Sequence, residues 1–325
     1  MAKNQIYPYA VARIRMLERT LLTSKQYNQM AEAKSIDEAL KILNETGYAP
    51  LNGQITVKNY EEALSTQLAK AYQDVNELVS GENFMDVFLL KNDYHNLKVL
   101  IKSEISGSEG DKYLIDGGTV DKTFIKNAFL TKSLDTLPSN MKEAVSKAYE
   151  VYGKTMSGQM IDIALDKAAF KDMAIVAKKS ESNFVKRYVE CLCDMTNLKT
   201  FLRIKNMKKT FDMFSEVFVE GGSFGIENFR QSFNADNPAS GFKSTQYEVV
   251  AEYMSQGFTA FEKQCDDYIM SFVKDAKYSS LTLEPMVAYI YARETEAKTI
   301  RIILSSKVNK IETDVIKERL RDAYV

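Results

Sequence analysis

Tryptophan is absent from this 325-residue chain, histidine occurs once, cysteine three times and proline five times. Each scarcity closes something off. A zinc site or a hydrolase triad would have to be built on the single His95, which leaves little room for either. Cys191 and Cys193 sit two residues apart, so on a helix they point to different faces, and Cys265 is remote. No disulfide framework or metal cage follows from them, and buried, reduced thiols in a reducing compartment are expected. Five prolines and 14 glycines raise few obstacles to long helices. There is no basic excess either, with 43 Lys and Arg against 44 Asp and Glu. The electrostatic footprint of a nucleic-acid binder is therefore missing. The longest plain apolar stretch, Met286 to Ala292, falls far short of the ~20 residues that cross a bilayer. The first residues carry no apolar signal core. The expectation is a cytoplasmic chain, or one attached to a membrane only through a partner.

What is present suits a helical core. Apolar residues make up 45% of the chain, and 18 Tyr, 17 Phe and 14 Met supply the bulk that tryptophan does not. Ala10, Ile14, Leu17 and Leu21 form one helical stripe, and Leu64, Leu68, Ala71, Val75 and Leu78 another, closed near Gly81. Ser35-Ile-Asp-Glu38 reads as a capping box opening a helix that Gly47 can close. Residues 84–106 are apolar on several faces, as an internal helix would be. Further helices are predicted at about 121–131, 140–152, 158–180 and 183–209. Thr245-Gln-Tyr-Glu248 reads as a second capping box, opening a helix to about Ala276. Thr282 and Pro285 precede a helix to about Val308, and a last one covers about 313–323. Period-2 alternation is lacking, so the fold class expected is all-α. Charge is uneven: 10 basic against 4 acidic residues from Lys171 to Lys209, then 3 against 10 from Asp212 to Asp267. These are either differently solvated faces or faces meeting different partners.

Three long helices share a signature: Asp93-Tyr-His-Asn96-Leu97-Lys98, Asp194-Met-Thr-Asn197-Leu198-Lys199 and, more diverged, Arg293-Glu-Thr-Glu296-Ala297-Lys298. Phe84, Phe184 and Leu283 precede them at matched distances. A further helix lies upstream in each case, around Ala69–Tyr72, Asp166–Phe170 and Asp266–Tyr268. Asp116-Gly117-Gly118 after the first matches Glu220-Gly221-Gly222 after the second. The repeat of about 100 residues divides the chain into units 1–112, 113–217 and 218–325, each long enough to bury its own core. A pseudo-threefold body, with room for a central cavity, is the expectation.

These residues also carry a resemblance. Together with Tyr9-Ala-Val-Ala-Arg-Ile-Arg15, Ser35-Ile-Asp-Glu-Ala-Leu40 and Glu45-Thr-Gly-Tyr48, the signature resembles the C subunit of bacterial and archaeal V-type (A-type) rotary ATPases, the homologue of the vacuolar ATPase d subunit. The likeness runs over the whole chain and rests on order and spacing rather than on one motif. It implies a funnel of three helical domains seated on the membrane proteolipid ring, on the cytoplasmic side, with the end of the central shaft received in its cavity. Such a protein is non-catalytic and needs no cofactor. It couples ATP turnover elsewhere to proton or sodium transport. A generic all-helical protein-binding scaffold is the alternative.

The signature positions have competing readings. Asp93, Asn96, Asp194 and Asn197 either satisfy backbone at a repeated helix contact or touch a partner. Lys98, Lys199 and Lys298, equivalent in all three, are candidates for a repeated ionic contact. Glu296 replaces Asn, so a third contact would differ from the other two. His95 is matched by Thr196 and Thr295, which argues against chemistry there. The two Gly-Gly pairs fit no phosphate loop and read as turns that need positive φ.

Overall fold

A computed structural model describes residues 6–48, 53–79 and 83–325, and among these every regular element is helical. The residues fall into two compact units, Met1–Gly81 with Phe242–Val325, and Glu82–Gly241. The sequence boundaries near 112 and 217 both lie inside the second. The threefold division is thus a property of the sequence pattern, and its spatial form belongs to the proposal below.

The first unit contains α1 (Pro8–Glu18), α2 (Ser24–Glu32), α3 (Ile36–Asn44), α4 (Tyr60–Leu78), α12 (Glu248–Glu252), α13 (Phe258–Lys274), α14 (Glu284–Val308) and α15 (Thr313–Glu318). α14 is its axle. Met286, Ala288, Ile290, Ala297, Ile300 and Ile303 are buried on all of its sides, against α1, α2, α3, α4 and α13. A helix whose apolar residues lie on several faces needs such a sleeve. The C-terminal tail folds back on α13, where Arg321 Nε donates to Asp266 Oδ2 at 2.9 Å and the Asp322 amide to Asp267 Oδ1 at 2.7 Å.

The second unit contains α5 (Asp86–Ser106), α6 (Lys122–Leu130), α7 (Ser139–Thr155), α8 (Gly158–Lys179), α9 (Asn183–Asn206), α10 (Phe211–Val217) and α11 (Ile226–Asn234). α5 and α9 are its buried rods, with α8 packed against both. Tyr94 of α5 and Asn140 of α7 both donate to Asp172 of α8, at 2.6 and 2.9 Å. Phe201, Phe214, Phe218 and Phe229 interlock α9, α10 and α11, with ring centroids 5.1 to 5.8 Å apart. All three cysteines are buried, and burial pushes the Cys193 thiol up to about 12.

Several local expectations are corrected. The helix opened at Thr245 does not run to Ala276. It ends in a tight turn over Tyr253–Gln256, and α13 starts anew after Gly257, whose φ of +101° no right-handed helix accommodates. Neither expected capping box forms in full. Ser35 Oγ accepts from the Glu38 amide, but Glu38 reaches one residue further back, to the Lys34 amide. At the second, Thr245 does not cap the helix: its hydroxyl takes the Tyr247 amide, and Glu248 takes the Ser244 amide. Gly47 does not close α3, which ends at Asn44, whose side chain bonds both the amide and the carbonyl of Ile55. Gly81 lies outside the described residues. The last helix stops at Glu318, because the tail beyond it extends to reach α13. The sequence reading missed α2, although Thr23 and Gln26 form a full capping box, and it missed α10 and α11.

Candidate functional site: three loops pinned by three buried helices

The signature residues act within the chain, and they do so twice in the same way. Asp93 is fully buried on α5. Its Oδ2 accepts from the Thr119 amide at 2.8 Å and the Thr119 hydroxyl at 2.6 Å, and its Oδ1 from the Val120 amide at 3.2 Å. Asp194 on α9 repeats this with the Ser223 amide at 2.9 Å, the Ser223 hydroxyl at 2.6 Å and the Phe224 amide at 3.2 Å. One turn further along, Asn96 exchanges two bonds with the amide and carbonyl of Ile115, both 2.9 Å. Asn197 exchanges two with Val219, at 2.7 and 2.8 Å. An asparagine in this position imitates a neighbouring β-strand residue, satisfying one donor and one acceptor of an otherwise unpaired loop. Burial raises the Asp93 carboxyl above its usual range, against the pull of the Thr119 and Val120 bonds.

The Gly-Gly pairs belong to the same device, and only half of the expectation for them holds. Gly117 and Gly221 do carry positive φ, +79° and +110°. Gly118 and Gly222 do not. They are glycine because a Cβ would overlap the carboxylate of Asp93 or Asp194. The loop passes flush over the helix, and the acid beneath collects its amides.

The third helix completes the pattern with a loop from elsewhere in the chain. Glu296 on α14 is 2% exposed. Its Oε1 accepts from the Leu22 amide at 2.5 Å, and its Oε2 from the Tyr48 hydroxyl at 2.5 Å and from Arg293 Nη1 at 2.6 Å. Arg293 also donates to the Thr20 hydroxyl and, at 3.0 Å, to Tyr289. Burial works against the Arg293 charge, but Glu296, Tyr289 and Tyr48 more than offset it and its pKa is raised. Donor and acceptor have changed places along the helix: Arg stands where the others have Asp, and Glu where they have Asn. The pinned segment is Thr20–Leu22, near the opposite end of the sequence. α5 and α9 thus hold the loops that follow them, whereas α14 holds the one that follows α1.

Two helix pairings show the same shift, whereas Lys298 of α14 pairs with Asp266 on the upstream helix of its own repeat. α5 packs on α8, the upstream helix of the second repeat, through Lys98–Asp166 at 2.5 Å and Lys102–Asp162 at 2.6 Å. α14 packs on α4, the upstream helix of the first repeat, through Arg301–Glu61 at 2.8 Å and a Tyr72–Glu294 bond. Of the three equivalent lysines, Lys98 and Lys298 meet Asp166 and Asp266, each at 2.5 Å, and Lys199 is half-buried on α9. Such part-exposed pairs contribute at most about 1 kcal/mol. His95 donates to the Tyr113 carbonyl at 2.9 Å, one more tie from α5 to its loop.

The pinning partners Thr119, Ser223, Thr20 and Tyr48 escaped sequence reasoning. A signal for the first two existed, since a hydroxyl residue directly follows each Gly-Gly. For Thr20 and Tyr48 there was none, because no spacing rule links residues more than 240 positions apart.

The bonding of α14 to residues 20–22 has a testable consequence. The two chain ends converge on one turn: the Tyr7 amide donates to the Leu281 carbonyl, and Lys277 Nζ to the Tyr324 carbonyl. A circular permutant should therefore fold when it runs 109–325, a short Gly/Ser linker, then 1–108. It swaps one covalent link for another and leaves every pinned loop in place. Chain melting followed by circular dichroism is expected to stay cooperative, with a stability loss below about 2 kcal/mol. A permutant that fails to fold would show that the α5-to-loop connection matters for more than tethering.

A family model described as ATP synthase (C/AC39) subunit matches residues 10–319. The C subunit of the V-type sodium ATPase of Enterococcus hirae is 25% identical over 321 residues, covering 96% of this chain and 97% of that one. The C subunit of the A-type ATP synthase of Desulfurococcus sp. is 23% identical over 330 residues, covering 96% and 90%. That of Methanocaldococcus jannaschii is 24% identical over 348 residues, covering 97% and 86%.

Proposed function

The chain belongs to the ATP synthase (C/AC39) subunit family, and on that footing we propose that it is the non-catalytic central-stalk member of a V-type (A-type) rotary ATPase, standing between the shaft and the membrane proteolipid ring. The observation that carries the reading is the match over 96% of this chain, and over 97% and 90% of the two others, to the C subunits of such complexes. The pinned loops support it. A rotor adapter must pass torque without slipping, and close-packed helices whose connecting loops are bonded to buried side chains yield little under load. In this role the chain couples ATP turnover on other subunits to proton or sodium transport. It lies on the cytoplasmic face, as three helical domains around a cavity that takes the shaft. No described helix is long and apolar enough to cross a membrane, so attachment runs through partner subunits.

The test is purification of the tagged chain from its native membranes in mild detergent. Shaft, nucleotide-binding and proteolipid subunits are expected to co-purify. Membranes from a strain lacking the chain are expected to lose ATP-driven ion uptake while released soluble ATPase activity persists. Uptake that survives deletion overturns the proposal.

A further inference from the structure

One face of α1 is built like an interface, and no described residue buries it. Tyr9, Ala12, Arg13, Met16 and Arg19, spaced three and four apart, form one exposed stripe. Tyr9 is 77% exposed and Met16 56%. Arg13 and Arg19 have no ion-pair or hydrogen-bond partner among the described residues. The only acidic residue of α1, Glu18, is turned inward, where Arg15 holds it at 2.7 Å and Tyr324 donates to it at 3.1 Å. The stripe thus carries two unpaired guanidinium groups and no carboxylate.

This face is also held firmly. Arg15 Nη2 donates to the carbonyls of Ala276, Lys277 and Ser279 at 2.8, 2.9 and 3.0 Å, and the Tyr7 amide to that of Leu281. The turn so anchored adds Tyr278, 89% exposed, and the exposed Leu281. Tyrosine, methionine and arginine are the residue types enriched at protein interface centres, and here they stand on a rigid base that loses little freedom when covered.

We propose that the α1 stripe with Tyr278 and Leu281 is a docking surface for a protein partner that presents carboxylates around an apolar centre. Resting on the function proposed above, that partner is another subunit of the rotary complex. A lipid surface is the weaker occupant, since electrostatic attachment to anionic lipid takes clusters of about 4–8 cations, and this face offers Arg13, Arg19 and the neighbouring Lys277, which bonds a carbonyl.

The experiment places a photoreactive amino acid at Met16 of the full chain in its native cell, alone and combined with Arg13→Glu/Arg19→Glu. A discrete protein adduct is expected, mapping to an acidic segment of an ATPase subunit, and at least tenfold weaker in the charge-reversed chain. The melting curve of that chain should match the parent, since both arginines are unpaired. An acidic segment of a protein outside the ATPase would uphold the docking surface and overturn the rotary role. Absence of an adduct, or an adduct indifferent to charge reversal, overturns the docking surface. So does co-sedimentation of the parent, but not the variant, with vesicles of phosphatidylcholine and phosphatidylglycerol.

Discussion

Replacing Glu296 by alanine should cost about 3–5 kcal/mol, the range for stripping a buried charge of its partner. Three groups lose their acceptor at once: the Leu22 amide, the Tyr48 hydroxyl and Arg293 Nη1. Arg293 is itself 7% exposed and cannot turn to water. Much of a typical domain's stability margin would be gone. Urea unfolding at pH 7 measures the loss as a lowered midpoint. A double replacement, Arg293→Met with Glu296→Leu, should recover part of it, because no charge is then left buried, though the Leu22 amide still lacks an acceptor. A single variant as stable as the parent would mean that the α14 contact with residues 20–22 holds nothing together. Hydrogen exchange at the Leu22 amide gives a local reading of the same event, and it should speed up before the rest of the unit does.

The second large effect is expected at Gly222. A Cβ there would stand 2.8 Å from Asp194 Cγ and 3.3 Å from its amide nitrogen, and would overlap Oδ1. The carboxylate must move, and the Ser223 and Phe224 amides lose their acceptor with it. Overpacking of this kind costs about 1–3 kcal/mol, and each stranded donor a comparable amount. Gly222→Ala should therefore lose about 2–5 kcal/mol in the same urea assay, and Gly118→Ala, over Asp93, a similar amount. Gly153 provides the opposite sign. It lies inside α7 with open space where a Cβ would stand, so alanine there should stabilise by about 0.5–1 kcal/mol. Equal effects at the two sites would contradict the close approach of loop to acid.

Both predictions turn on residues that the sequence marked without explaining. Asp93 and Asn96 stood out because Asp194 and Asn197 repeat them at matched spacing. Whether they faced a partner or their own loop was open, since a buried acceptor and an exposed one are spelled alike. The Gly-Gly pairs were legible as turns. The reason for the second glycine was not, because it lies in an acid 25 residues or more upstream. Glu296 looked like decay of the repeat and is its adaptation to a loop with different donors.

Helix positions followed from local information: apolar spacing at three and four residues, cap residues, and few prolines or glycines in between. That is why α5, α6, α8 and α9 emerged close to their observed limits, and why family membership could be read from order and spacing alone. Gly257 was equally visible, but whether a glycine breaks a helix depends on the φ that surrounding packing imposes. The closing of α14 upon Thr20–Leu22 was decided only in three dimensions. Its stabilisation comes from burying an arginine–glutamate pair beside an amide nearly the whole chain away, and no periodicity along the backbone records which distant segments share a desolvated space.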